Sequence, residues 1–154
     1  MIKLKKTLII ILDILIFLNI AFIWGNSMMP VADSSALSHG FMDELLELFR
    51  LNYHDLPIEK EAFHGVVRKL AHMFEFFCLG ALLCLRLGKN EAKIAATISF
   101  FLAVCVAILD EFIQSFSDRA CRVRDMLIDS CGAAIGVAFA LLIIYLISKK
   151  QTSI

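Results

Sequence analysis

Four long apolar runs constrain this chain more than any other feature of its sequence. They cover Thr7–Trp24, Leu70–Leu87, Ile94–Leu109 (continuing as helix to Phe116) and Met126–Ile147. A helix rising about 1.5 Å per residue needs about 17–25 apolar residues to cross a bilayer. Hydrophobic residues make up 60% of the 154 residues, above the roughly 45–50% of soluble domains. We therefore predict an all-α integral membrane fold, a bundle of four transmembrane helices.

The segment between the first two runs, roughly Asn26–Arg68, is long for a connection. Part of it separates into two faces at helical spacing: Phe41, Leu45, Leu48 and Phe49 on one, Asp43, Glu44 and Glu47 on the other. This pattern predicts a short amphipathic helix that lies on the membrane or caps the bundle. With a length typical of one domain, residues 1–154 are expected to form a single membrane domain.

The distribution of Lys and Arg indicates the orientation of the bundle. With the N-terminus inside, the inner segments hold slightly more basic residues than the outer ones, and the long first outer segment is acidic. We therefore expect a multi-pass protein of the cell membrane with both termini in the cytoplasm, which makes the first loop extracytoplasmic. Its formal net charge is zero, so no nucleic-acid partner is expected.

The second helix carries a stripe of ionisable residues. His64, Arg68, His72 and Glu75 are spaced four, four and three apart, within an arc of about 80°. An ionisable residue at the centre of a membrane helix costs roughly 2.5–3.5 kcal/mol, so the stripe should face the bundle interior. His72 and Glu75 fit a structural polar lock between helices, ligand binding or proton transfer, or metal ligation. Because no tight ligand signature such as HExxH accompanies them, we expect no metal and no cofactor.

The acidic residues of the third and fourth helices continue their small-residue packing faces. Those faces are Ala96, Ala103, Ala107, Asp110 and Gln114 in the third helix, and Asp125, Asp129, Gly132 and Gly136 in the fourth. Small residues let neighbouring helices approach closely. These carboxylates, with Glu111 beside them, are therefore expected to face one another and to face His72 and Glu75.

Three arginines lie in the connection between the third and fourth helices and at its end: Arg119, Arg122 and Arg124. The guanidinium group pairs well with carboxylate or phosphate, often through two hydrogen bonds at once. Two roles fit this pattern. The arginines could recognise an anionic headgroup, or they could neutralise the nearby acids Asp110, Glu111, Asp125 and Asp129.

These motifs, in this order, resemble the VanZ-like family of membrane proteins. Residues 68–80 (RKLAHMFEFFCLG) look like the first family signature. Residues 110–114 (DEFIQ), followed by Arg119 and by residues 124–136 (RDMLIDSCGAAIG), look like the second. The serine-rich segment that begins at Ser27 also fits. The resemblance spans about residues 10–145.

The sequence departs from the family pattern in two places. The stretch between Gln114 and Arg119 lacks the usual Pro-Gly turn, and Ile113 stands where a histidine is often found. The resemblance implies a four-helix membrane protein. Its namesake is associated with low-level resistance to the glycopeptide antibiotic teicoplanin, and the resemblance implies no settled reaction.

Three classes of function fit these residues. The first is a binding protein that recognises a lipid-linked cell-wall precursor or a lipidated glycopeptide. Its candidate ligand-binding residues are Arg68, Lys69, Gln114, Arg119, Arg122, Arg124, Asp125 and Asp129. The second is a membrane enzyme that modifies a lipid phosphate, with His72 or Glu75 as general acid or base and Asp110 and Glu111 as further catalytic candidates. The third is a structural or partner protein in which the polar residues only hold the bundle together.

Overall fold

The computed structural model describes residues 2–28, 40, 43–51, 59–88, 91–116 and 122–152, and its regular structure there is helical. The helices are α1 (Ile2–Met28), α2 (residues 43–51), α3 (Lys60–Leu87), α4 (Ala92–Gln114) and α5 (Val123–Thr152). All but α2 are long and apolar enough to cross a membrane. The prediction of an all-α fold with four membrane-spanning helices is confirmed.

The helices differ from the predicted spans mainly at their polar ends. α3 begins at Lys60, well before the predicted Leu70, so the whole ionisable stripe is helical. α5 begins at Val123, ahead of the predicted Met126. The apolar runs mark only the part of each helix that lipid can cover, and a helix continues wherever its backbone hydrogen bonds continue. The predicted extension of α4 to Phe116 was wrong, because α4 ends at Gln114 and the next two residues form a turn.

Glycines bring the backbones of α3 and α5 together. A Cβ added at Gly132 would overlap the carbonyl oxygen of Met73, and one at Gly136 would overlap that of Phe77. The same holds in the other direction, where a Cβ at Gly80 would overlap the carbonyl oxygen of Ala133. The small-residue face predicted at Gly132 and Gly136 is therefore the surface along which α5 contacts α3, and we call this contact the α3–α5 seam.

The distribution of side-chain sizes suits a bilayer. Small residues such as Ala103, Ala107 and Ala133 are fully buried, whereas large ones such as Phe17 and Phe101 face outward. Burial of small residues with exposure of large apolar ones is the pattern of helices that pack in lipid, where tails solvate the outer surface. α1 joins this core mainly through Ile23, which packs with Phe76 and Leu79 of α3.

α1 is also fastened to α3 by an ion pair at the end of the bundle where α3 finishes. Arg86 donates from Nε to Asp13 Oδ1 at 2.6 Å and from Nη2 to Asp13 Oδ2 at 3.2 Å. Such a two-point pair fixes orientation as well as distance. Asp13, an isolated acid in an apolar helix, therefore has a structural partner.

The predicted amphipathic helix α2 exists, and within residues 43–51 one side chain is buried. Leu46 is the buried residue, while Leu48 and Phe49 of the predicted apolar face stay exposed and Phe41 lies outside the described residues. Asp43, assigned to the outer acidic face, contacts Lys60 Nζ at 2.7 Å and His64 Nε2 at 3.1 Å. These contacts turn the acidic side of α2 toward α3, and Leu46, one turn further along, turns inward with it.

The glycine seam gives a direct test of the packing. Gly136→Ala forces a methyl group into the backbone of α3, and overpacking of this kind costs about 1–3 kcal/mol. We expect a lower midpoint of thermal unfolding in detergent for Gly136→Ala. The matched control is Gly65→Ala on α3, because an added Cβ there meets nothing within 4 Å and alanine favours helix. Equal unfolding midpoints for the two variants would contradict the close α3–α5 contact.

Candidate functional site

The polar residues of four helices meet at one end of the bundle. They come from the end of α1, the first half of α3, the end of α4 and the start of α5, which lie together because successive membrane helices run in opposite directions. A cavity of about 60 Å³ opens between α3, α4 and α5, enough space for a few water molecules or one small hydrated ion. Its lining consists of Arg68, Lys69, His72, Glu111, Gln114, Asp125, Ile128 and Asp129.

His72 lies at the centre of a chain of polar contacts. Its Nδ1 is 3.1 Å from Glu75 Oε2, and its Nε2 is 2.9 Å from Asp110 Oδ2. An ionised carboxylate can only accept hydrogen bonds, and a neutral imidazole has a single N–H to donate. The three groups therefore need either a doubly protonated imidazole, a proton on one carboxyl group, or a cation on one side of the ring. In the first two of these states both ring nitrogens are hydrogen-bonded to carboxyl groups.

Side-chain amide and hydroxyl groups of α1 and α4 support the contacts of His72 with Glu75 and Asp110. Asn26 Nδ2 donates to Glu75 Oε1 at 3.1 Å. Gln114 Nε2 donates to Asp110 Oδ2 at 2.8 Å and to Ser27 Oγ at 3.3 Å. Asn26 and Ser27 were not among the predicted site residues. Their signal in the sequence was weak: a polar pair just after the first apolar run, with Ser27 opening the serine-rich segment.

Three carboxylates are buried beside the cavity. Asp110 is 0% exposed, and Glu111 and Asp129 are each 1% exposed. Glu111 Oε2 accepts the backbone N–H of Arg122 at 2.8 Å. Within the described part of the chain, Asp110 Oδ1, Glu111 Oε1 and Asp129 Oδ2 are buried without a hydrogen-bond partner. Burying a charge is costly unless it is paired, and this end of the bundle holds more carboxyl oxygens than its own hydrogen bonds satisfy.

Basic residues contribute to the cavity lining without neutralising those acids. Lys69 Nζ lies 2.9 Å from Asp125 Oδ1, and Arg68 is exposed. The expected pairing of the arginines with the acids is not seen among the described residues, where Arg122 and Arg124 have exposed side chains and Arg122 reaches Glu111 only through its backbone. The basic partner of Asp125 is Lys69 and not an arginine, because Lys69 lies opposite that carboxylate where α3 and α5 pack together.

The structure brings most of the predicted site residues together. The catalytic candidates His72, Glu75 and Asp110 form one hydrogen-bonded chain, and Glu111 lines the adjoining cavity. Among the ligand-binding candidates, five line the cavity: Arg68, Lys69, Gln114, Asp125 and Asp129. Arg122 and Arg124 lie beside it at the start of α5 without lining it, and Arg119 lies outside the described residues. His64, from the same stripe, contacts Asp43 of α2 instead.

The comparison with known proteins agrees with this arrangement of helices and motifs. A family model described as VanZ/LLP1 matches residues 8–145, nearly the whole chain. Neither a curated protein nor a solved structure matches the sequence.

Proposed function

We propose that this protein, which belongs to the VanZ/LLP1 family, is a membrane protein that binds an anionic, lipid-anchored group. The observation that carries the proposal is the polar cavity at one end of the bundle, with Arg68 and Lys69 in its lining. Arginine and lysine are the side chains that bind phosphate, arginine often through two hydrogen bonds.

Arg68 is the cation best placed to meet such a ligand. Lys69 is already engaged with Asp125 at 2.9 Å, whereas Arg68 makes no ion pair with any residue that the structure describes. Arg68 is exposed and also contributes to the cavity lining. A guanidinium in that position can bind an incoming phosphate without first breaking an internal contact.

The outward-facing surface of α3 suits the hydrocarbon part of a lipid-linked ligand. Val66, Leu70 and Phe74 follow one another at intervals of four residues along α3, and all three are more than half exposed. Their helical spacing places them on the opposite side of α3 from Arg68 and His72, which line the cavity. A ligand with a phosphate and a long acyl or prenyl chain would therefore have its phosphate at the cavity and its chain in the surrounding lipid.

The contacts of His72 favour binding over catalysis. A general acid or base needs a ring nitrogen within reach of the reacting group. Both nitrogens of His72 lie within 3.1 Å of carboxylate oxygens of this chain. Glu75 is likewise held, by Asn26 and by His72. The chain of contacts therefore serves to support the cavity.

We further propose that the cavity faces the outside of the cell and that its ligand belongs to the cell envelope. The segment that connects α1 to α3 and the α4–α5 connection then lie outside, with both termini in the cytoplasm. A lipid-linked cell-wall precursor carries the phosphate and the long chain that this end of the bundle fits. A lipidated glycopeptide antibiotic is the second ligand of this kind, and the family's name associates it with resistance to teicoplanin.

Direct binding tests the proposal. The probe is farnesyl phosphate, titrated by calorimetry into the purified protein in detergent, with farnesol as the uncharged control. We expect farnesyl phosphate to bind and farnesol not to bind. Arg68→Gln should weaken binding about tenfold, because a hydrogen bond to a charged group contributes about 1.5–3 kcal/mol and about 1.4 kcal/mol is a factor of ten.

The matched control for Arg68→Gln is Lys93→Gln, which removes an exposed positive charge at the opposite end of the bundle. It should bind farnesyl phosphate as the wild type does. Equal binding of farnesol and farnesyl phosphate, or an equal loss in both variants, would contradict headgroup recognition at the cavity. A structural role alone predicts no binding of either probe.

Antibiotic susceptibility tests the resistance claim separately. Wild-type protein expressed in a susceptible Gram-positive host should raise the inhibitory concentration of teicoplanin and leave that of vancomycin unchanged, because teicoplanin carries a lipid chain and vancomycin does not. Arg68→Gln at equal membrane abundance should lose this protection, and Lys93→Gln should keep it. Equal protection against both drugs would contradict selection for a lipidated ligand.

A further inference from the structure

Three residues from three helices bring metal-ligand atoms together beside the cavity. His72 of α3, Asp110 of α4 and Asp129 of α5 each offer one ligand atom, and these atoms lie within 4.8 Å of one another. Two tetrahedral ligands of a cation at about 2.0–2.2 Å are separated by about 3.3–3.6 Å. His72 Nε2 and Asp110 Oδ2 are 2.9 Å apart, a hydrogen-bond distance, so a small outward shift of these two side chains would admit a cation between them. We propose that these three residues bind a divalent transition-metal cation, Zn²⁺ in the first place.

The burial of the two aspartates is the first argument for a cation. Asp110 is 0% and Asp129 is 1% exposed. Each keeps one buried oxygen, Oδ1 and Oδ2 respectively, without a hydrogen-bond partner among the described residues. Asp129 also lines the cavity, which has room for an ion and the water that completes its coordination. Buried carboxylates of this kind are stabilised by pairing or by metal coordination.

The balance of charge is the second argument. Asp110, Glu111 and Asp129 are buried together, and Glu75 lies on the other side of the same histidine. Among the described residues, His72 is the one basic residue whose side chain contacts any of these four carboxyl groups. Lys69 contacts Asp125 instead. One imidazolium compensates one carboxylate, so the other carboxyl groups need protons or a further cation. A divalent cation would compensate two charges at the point where the carboxylates converge.

The support of His72 is the third argument. A histidine that binds a metal commonly donates its other ring N–H to a carboxylate, which fixes the tautomer and the ring orientation. Here Nδ1 is 3.1 Å from Glu75 Oε2, and Asn26 holds the other oxygen of Glu75 at 3.1 Å. With the proton on Nδ1, the lone pair of Nε2 points to the side of the ring where Asp110 lies.

The donor set selects the kind of cation. One imidazole nitrogen with two carboxylate oxygens suits Zn²⁺, for which histidine and carboxylate are ordinary ligands. Mg²⁺ and Ca²⁺ prefer oxygen ligands throughout. Sequence reasoning led us to expect no metal, because ligands spread over positions 72, 110 and 129 form no local signature. Helix packing brings them together.

This inference does not depend on the proposed ligand, because it concerns only the buried end of the cavity. The two are compatible: a cation among the carboxylates would let an acidic cavity accept a phosphate oxygen. Zinc binding is therefore measured without any lipid present. Loss of zinc binding and loss of farnesyl phosphate binding are then separate results.

The test uses the full chain, freed of any affinity tag, purified in detergent, stripped with a chelator and dialysed. Zn²⁺ is added by calorimetric titration, and the metal retained after gel filtration is measured by elemental analysis. We expect one Zn²⁺ per chain. His72→Gln and Asp129→Asn should each weaken binding at least tenfold.

Two matched controls separate this site from unspecific binding at the surface. His64→Gln makes the same substitution two helical turns earlier on α3, and Asp43→Asn makes the same substitution on α2, away from the residues that line the cavity. Both should bind Zn²⁺ as the wild type does. Asp110→Asn provides a third ligand variant if one of the others fails to fold, as judged by its elution volume and helical circular dichroism.

Two results would overturn the proposal. One is a stripped wild-type protein that folds and takes up no Zn²⁺. The other is zinc binding that survives in folded His72→Gln, Asp110→Asn and Asp129→Asn, or that is lost equally in His64→Gln, because the cation would then bind elsewhere.

Discussion

The burial of negative charge inside a bundle of apolar helices is the constraint on which the rest of this structure depends. Asp110, Glu111 and Asp129 are almost completely removed from solvent, in helices that are otherwise suited to lipid. A charge in that position must find partners or coordinate an ion. His72, with carboxylates on both of its nitrogens, supplies part of that compensation. The remaining compensation must come from protons on the carboxyl groups or from water or a cation in the adjoining cavity.

Close helix packing makes this arrangement possible. Gly132 and Gly136 allow α5 to approach the backbone of α3, and the same face of α5 carries Asp129 one turn earlier. Ala103 and Ala107 do the same for Asp110 on α4. The small residues of each helix therefore determine where its acid lies. On both α4 and α5, one face therefore carries small residues where the helices pack together and an acidic residue toward one end of the bundle.

The features that could be predicted from sequence are those that one helix determines by itself. Each apolar run predicts a membrane-spanning helix, and the spacing of Asp110 and Asp129 from small residues predicts that both face the bundle interior. The contacts that depend on how two helices are rotated and shifted could not be predicted. Examples are the pairing of Lys69 with Asp125 and the support of Glu75 by Asn26. The contacts of Asp43 on α2 with Lys60 and His64 on α3 are a further example.

The protonation state of His72 tests this account most directly, because both the proposed cation site and the support of the cavity depend on it. Nitrogen-15 NMR of the histidine side chains, in protein stripped of metal and then given Zn²⁺, reports on the two ring nitrogens separately, with His72→Gln identifying the signals. The account predicts that Nδ1 keeps its proton, because that N–H donates to Glu75. It also predicts that the signal of Nε2 moves to that of a metal-bound nitrogen when Zn²⁺ is added. Unchanged signals at both nitrogens, or loss of the proton from Nδ1, would contradict it.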